Sequence, residues 1–488
     1  MSSESMSIAK SVREELENLL ELVMDDSEER RTADQVERSL WKRVLVLGRM
    51  LMQLFFSVQS EREAKHKRLE IAGKRYEHGG QPSRQYVSLF GSVEVKRHYY
   101  WKKGVGGKHP LDEELSLPER IYSDCVQELM GAMAVWIPQD KTLELIEAWL
   151  ELSIPKKSLQ DSTADQAASV AAYYAQQAAP EIAEQDTILV VTADGKGIPM
   201  TRQDSPPPEA RRGRGQKKTA KKEATVSAVY TISPYNRSSD DIMRALLPRQ
   251  VLDATVQSAR PTPTGKRVFG TLAGQETAFE HIVEQVDQRD NSQLIHHVAL
   301  TDGDRGLKKQ VHKSLPHFTL IIDIMHVVEY LWEAANTLLG ETHFMRETWM
   351  HDALRCLLED DLDRLLNHLE QHRLCVSKRK STVLNKVIKY LRNNRDHMDY
   401  QSYLAHGYPI GTGVIEGACR HLVKDRFERA GMRWSKDGAQ VMLDLRATHL
   451  NGDWVDFQKF RRHQDHTQRY GSPHPDVLLE NVILSVAA

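Results

Sequence analysis

Apolar residues return every three to four positions through residues 7 to about 68. Ile8, Val12, Leu16, Leu19, Leu20 and Val23 form one stripe, and Val36, Leu40, Val44, Leu47, Leu51, Leu54 and Phe55 a second. That period predicts two helices, broken at Asp25-Asp26-Ser27, with Thr32 as the cap of the second. The most apolar run, Val44 to Val58, is interrupted by Arg49 and Gln53. It is too short to span a bilayer and reads as a buried helix. From Gln81 to Lys103 the period drops to two around Gly91-Ser92, which predicts a β-hairpin. Helical spacing resumes over 119–179, broken at Ser153-Ile154-Pro155. That pair of helices reads either as ordinary helical packing or as a helix-turn-helix whose second helix enters the major groove of DNA.

Beyond Glu184 the pattern changes to short continuous apolar runs, the mark of strands buried on both faces. Ile188 to Val191 is the first, and Thr225 to Ile232, Val268 to Leu272, His297 to Leu300 and Phe318 to Ile322 follow, with a helix over Glu276 to Asp287. The order predicts an α/β domain with a mixed five-stranded sheet. Residues 327–405 are helical throughout and interrupt it, and 406–455 resume with the final helices. The segments expected are therefore 1–80 helical, 81–118 hairpin, 119–185 helical, 186–326 the first part of the α/β core, 327–405 an all-helical insertion, 406–455 the end of the core, and 456–488 a polar, loosely patterned tail.

The chain has 488 residues, a length that suggests about three domains. Its 66 basic and 68 acidic side chains give a formal charge of −2, which excludes a uniformly basic nucleic-acid coat but hides opposed local charge. Residues 202–222 hold eight basic residues against two acidic ones: Arg202, Arg211, Arg212, Arg214, Lys217, Lys218, Lys221 and Lys222. The segment reads either as a solvated insert or as a contact for DNA phosphates. The hairpin at 84–103 and the stretch 420–436 are the other cationic regions. The four cysteines form no CxxC pair, so a disulfide scaffold or cysteine zinc site is not expected. The N-terminus lacks the pattern of a signal peptide, and a cytoplasmic protein without a membrane partner is expected.

Three aspartates follow apolar strands: Asp194 in LVVTADGKG, Asp302 in HVALTDGDRGL and Asp323 in TLIIDIMH. Strand ends in α/β sheets fix the backbone and aim side chains into a common crevice. Carboxylates gathered there repel one another, and a hard divalent cation with oxygen ligands relieves them. Two such ions clamp a phosphodiester during in-line displacement. Taken singly, each Asp-Gly is equally a turn or a helix cap. Glu416 falls in the first turn of a helix expected from Gly413, with Arg420 and Lys424 four and eight residues on. It suits a site for metal and phosphate, or a surface ion pair with Arg420.

VTADGKGIPM, TDGDRGL, IIDIMHVVEYLWEAA and GYPIGTGVIEGACRHLVKDRFERAGMRW together resemble the ISKra-type DDE transposases of bacterial insertion sequences, over roughly residues 186–455. The resemblance implies an RNase H-like α/β core that cleaves transposon-end DNA and joins it to a target. It implies a catalytic and metal-binding triad of Asp194, Asp302 and Glu416, with two Mg²⁺ ions (or Mn²⁺). Asp323 and His326 stand where Mutator-like and hAT transposases carry a C/DxxH motif, which implies an auxiliary role near the scissile phosphate. Arg211, Arg212, Arg214, Lys217, Lys218, Lys221, Lys222, Arg420, Lys424 and Arg426 are the expected DNA contacts. The partners implied are double-stranded DNA, both terminal inverted repeats and target, and a second copy of the chain. Relatives flank the N-terminal hairpin with a zinc-ribbon-like cysteine cluster. Here only His78 and His109 remain, too few for a four-ligand site. A metal nuclease that cuts without joining, and a non-catalytic DNA-binding protein on the same fold, are the alternatives.

Overall fold

The structure is a computed structural model that describes residues 2–24, 31–71, 73–204, 221–247, 259–289, 293–429, 431–472 and 474. The chain forms two compact units, one of residues 1–175 with 453–488 and one of 176–452. Among the described residues no helix is long and apolar enough to cross a membrane.

The first unit opens with the helices Ser3–Met24 and Ala33–Arg62, the second capped by Thr32 and Gln35 in a reciprocal capping box. The Val44–Val58 run lies in this second helix but is not buried as expected. Leu45 and Phe56 are enclosed, whereas Val44, Leu51 and Phe55 remain exposed, because the stripe is wider than the single neighbouring helix and hairpin that cover it. Strands β1 (Arg68–Ile71) and β2 (Lys74–Gly80) follow, where a helical region was expected. Gly73, at φ 70°, makes the turn between them, a conformation that glycine adopts without strain.

The expected hairpin over 81–103 is two structures. Strands β3 (Ser83–Ser88) and β4 (Gly91–Lys96) pair with each other, with Ser88 opposite Gly91. Past His98, strand β5 (Tyr99–Lys102) leaves to pair with β2 and with β6 (Gly106–Lys108). Arg97 still follows the alternation, turned inward to Asp112 at 2.6 Å, and the break comes at His98, which is buried where an exposed residue was due. Helices Asp124–Trp136, Gln139–Leu150 and Lys156–Ala168 complete this part. The polar "tail" is a helix, Trp454–Tyr470, which belongs to this unit. Arg461 reaches Asp124 at 3.1 Å and Gln458 reaches Gln166 at 2.9 Å. Its inward face is largely polar, so hydrophobic periodicity gave no sign of it.

The second unit holds the five strands expected. They are β7 (Ile188–Pro199), β8 (Lys221–Ile232), β9 (Thr264–Thr271), β10 (His296–Thr301) and β11 (Thr319–Ile322), in the order β11-β10-β7-β8-β9. β7, β10 and β11 run parallel; β8 and β9 are antiparallel to their neighbours. Alternate residues of β7 enter two cores. Ile188 and Val190 pack with Val298, Ile321 and the helical block, while Leu189 and Val191 pack with Phe279, Ile282 and Val311. That two-sided burial explains the unbroken apolar runs. The insertion, from Ile324–Leu338 to Tyr400–Ala405, shares its core with the sheet: Leu331, Leu354 and Leu391 lie in the same cluster as Ile321 and Ile322. Each such buried leucine contributes about 1.5–3 kcal/mol, so block and sheet are one folding unit.

Candidate active site

The C-terminal end of β10 meets the middle of β7. Asp194 does not follow its strand, as expected, but lies within it opposite Val226, because β7 and β8 pair over twelve positions, through Gly195 and Gly197 to Pro199. Asp302 follows β10 directly. Its carboxyl is held above the ordinary carboxylate range, first by burial, against one N–H donated by Asp304 at 2.8 Å; the charge of Asp194 pushes it up further and His326 pulls it down. The two carboxylates are therefore electrostatic neighbours. Tyr390, from the helical block, donates its hydroxyl to the Asp302 carbonyl at 2.9 Å and fixes that turn.

Asp194 accepts from the Gly195 N–H at 2.6 Å and from the Cys419 thiol at 3.4 Å. Burial and the charge of Asp194 both push the Cys419 thiol up, so it stays protonated and able to donate. Cys419 lies three residues past Glu416, and the thiol bond therefore docks the helix Gly413–Ala418 against β7. Glu416 itself is exposed. Nothing in the periodicity marked Cys419; its only signal was its place inside the long final motif.

The final motif is not one regular helix. Cys419–Lys424 is a π-helical turn, a feature found often at functional sites. Arg420 and Lys424 are exposed, and Arg420 pairs with Asp425 at 3.9 Å, five residues on, rather than with Glu416, the alternative reading of that carboxylate. Arg426, expected on DNA, is only 1% exposed. Two residues past Lys424 it faces the opposite side of the helix, about 200° round. Its guanidinium sits 4.7 Å over the Trp434 ring, and burial lowers its pKa to about 9. The Trp434 backbone N–H in turn donates to the Pro199 carbonyl at 3.0 Å, which ties the end of the motif to β7. Lys221 and Lys222 open β8, where Lys221 donates to Glu428 at 2.5 Å. Arg211, Arg212, Arg214, Lys217 and Lys218 lie outside the described residues.

Asp323 is completely buried and both its oxygens are used. One accepts the Met325 N–H at 2.9 Å and caps the helix Ile324–Leu338; the other accepts the Thr412 hydroxyl. Thr412 is the first-turn cap residue of the helix that carries Glu416, yet its hydroxyl goes to Asp323. The backbone N–H of Asp323 donates to Thr301 at 2.8 Å, immediately before Asp302. Asp323 is thus a strut between two candidate carboxylates. His326 is part-exposed, 3.6 Å from Glu329, and electrostatically coupled to Asp302.

The donor chemistry suits a hard cation at Asp194 and Asp302: oxygen ligands, like-charged and partly desolvated. Among the described residues, however, no three His, Cys, Asp or Glu side chains are grouped closely enough to hold one ion. Glu416 is brought to the same strand but does not complete a cluster.

No protein-family model matches the chain. It is similar to the UPF0236 protein in vanSb 3'region of Streptococcus gallolyticus, at 22% identity over 380 residues, 76% of this chain and 73% of that protein. The strand transfer complex of the Drosophila P element transposase aligns with 72% of this chain and 86% of its own, at 10% identity and a TM-score of 0.24, too low to support an argument about shared fold.

Proposed function

We propose that the protein is a DDE-type transposase with an RNase H-like core, which cuts the ends of a DNA element and joins them to a target. The observation that carries this reading is the electrostatic contact between Asp194, in β7, and Asp302, which follows the adjacent parallel strand β10, with the Glu416 helix held to β7 by Cys419. Asp194 and Asp302 would hold Mg²⁺ or Mn²⁺, with Glu416 as the third donor. When bound, the ion supplies charge neutralisation at the phosphodiester and lowers the pKa of an attacking water.

The chain's own residues do the rest. Tyr390 and Asp323 hold the turns that carry the carboxylates. Arg420 and Lys424 lie exposed beyond Glu416, where a phosphate backbone would meet them. A second copy of the chain would be needed to hold two element ends together.

The test is cleavage and strand transfer on duplex DNA carrying the element's termini. Asp194→Ala, Asp302→Ala and Glu416→Ala should each abolish metal-dependent nicking while duplex binding survives. Undiminished nicking by Asp302→Ala sinks the assignment. Nicking without joined product turns the reading to a nuclease. A wild-type protein that binds termini but never nicks them turns it to a non-catalytic DNA-binding protein.

A further inference from the structure

The four-stranded sheet β1-β2-β5-β6 of the first unit has two unlike faces. One carries Tyr76 and Tyr100, 4% and 1% exposed, with the Tyr100 ring against His78 and His98. The other carries Tyr99 and Trp101. These two alternate along β5, so they share a face about 6.8 Å apart. Trp101 stays 42% exposed.

Two glycines make room for the rings. A Cβ at Gly107 would stand 2.0 Å from the Tyr99 ring, and one at Gly79 would stand 2.8 Å from Tyr99 and 3.0 Å from Trp101. Neither glycine has a positive φ, so no turn demands glycine at either place. The requirement is space: the rings lie along bare backbone. The His109 ring extends the row, 5.0 Å from Tyr99 and tilted by 38°. Residues 65–80 and 99–109 together hold eight lysines and arginines against two glutamates, Glu70 and Glu77. Among the cations Lys67, Arg75, Lys103 and Lys108 are exposed.

We propose that this face is a stacking platform for unpaired DNA bases. Every base has a π-face, and an uncovered indole beside a phenol offers a surface that base can cover, whatever the sequence. The cationic rim meets the phosphates on either side. A duplex is a poorer fit, because its bases are stacked on one another and present only their edges. The inference rests on DNA being the substrate and deepens that reading: strands opened at a cut end are the ligand that this face would hold.

The experiment measures binding of the full chain to a fluorescent oligothymidylate single strand and to a duplex of equal length, over a range of salt. Trp101→Ala should weaken the single strand about tenfold, leave the duplex within about twofold, and leave the salt slope unchanged. Trp101→Phe should restore most of the loss, which excludes mere misfolding. The pair Lys103→Gln and Lys108→Gln should instead flatten the slope for both ligands. Wild-type single-strand binding by Trp101→Ala, or equal losses for single strand and duplex, overturns the proposal. The two readings fail separately. If nicking needs Asp302 but single-strand binding ignores Trp101, the platform alone is wrong. If binding needs Trp101 but nicking ignores Asp302, the catalytic assignment alone is wrong.

Discussion

Strands β10 and β11 lie side by side, run the same way, and each ends in an aspartate ahead of a helix, yet the two aspartates have opposite fates. After β10 the sequence supplies two, Asp302 and Asp304. Asp304 caps the following helix, Arg305–Ser314, accepting from Gly306 at 2.8 Å and Leu307 at 3.0 Å. Asp302 is thereby relieved of capping and keeps a half-buried carboxyl beside Asp194, held above its ordinary pKa. After β11 there is one, Asp323, and it must cap its own helix and anchor Thr412 as well. A carboxylate with all its partners is a strut. One left short of them beside a like charge is poised for a cation.

The comparison makes its largest prediction at β10. Asp302→Asn should lower nicking roughly a thousandfold or more, as loss of one member of a catalytic unit does. Thermal stability should hold or rise, since a charge repelled by Asp194 is gone. Asp304→Ala, two residues on, should do the reverse: lose about 1 kcal/mol with the cap and keep most activity. Activity assays paired with thermal melts of both variants check the division. Equal activity losses for the two would erase the distinction between poised group and cap.

A third carboxylate extends the contrast to pH. Asp444, in the helix Lys436–Leu450, is half-buried with Gln440 donating at 2.8 Å, and its partial desolvation raises its pKa to about 7. A raised carboxyl binds its proton more tightly folded than unfolded, where its pKa is about 3.9. Its stabilisation is therefore whole below about pH 4, falls as pH rises, and is gone above about pH 7. At about 1.36 kcal/mol per unit, the span is roughly 4 kcal/mol. Asp444→Asn keeps an oxygen for Gln440 and should remove that slope. Urea midpoints of the two proteins from pH 4 to 8 measure it, and parallel curves would show that Asp444 ionises as it does in water.

What the sequence disclosed follows from the same physics. The five strands were legible because β7, β10 and β11 are covered on both faces, which leaves uninterrupted apolar runs in TILVV, HVAL and TLII. The positions of Asp302, Asp323 and Glu416 were legible too, whereas Asp194, expected after its strand, lies within it, and the different partners of all four were not legible. Whether an aspartate caps a helix or faces another charge depends on residues distant in sequence, such as Thr412 and Cys419. The burial of Arg426 was hidden because the ring that covers it, Trp434, lies eight residues on, past the end of the helix. The helix Trp454–Tyr470 was missed because it docks through Gln458, Arg461 and His466, residues that a hydrophobic pattern discards.

The smallest effects separate strut from ligand at β11. Asp323→Ala deletes a helix cap and leaves the Thr412 hydroxyl buried without its acceptor, a loss of roughly 2–3 kcal/mol. Thr412→Val keeps the cap of Asp323 on Met325 but leaves one oxygen of the buried carboxylate without its donor, so it should lose roughly 1–3 kcal/mol. Because Thr412 begins the helix that carries Glu416, that loss should come with a larger fall in nicking and with normal duplex binding. Both variants act through one bond, so the double variant should lose less stability than the two single losses added together. A chemical-denaturation cycle over wild type, the two singles and the double measures the shortfall. Strict additivity would mean that Asp323 does not hold the Glu416 helix through Thr412. An Asp323→Ala protein with full stability and no nicking would return Asp323 to the reacting site and make the two strand ends alike.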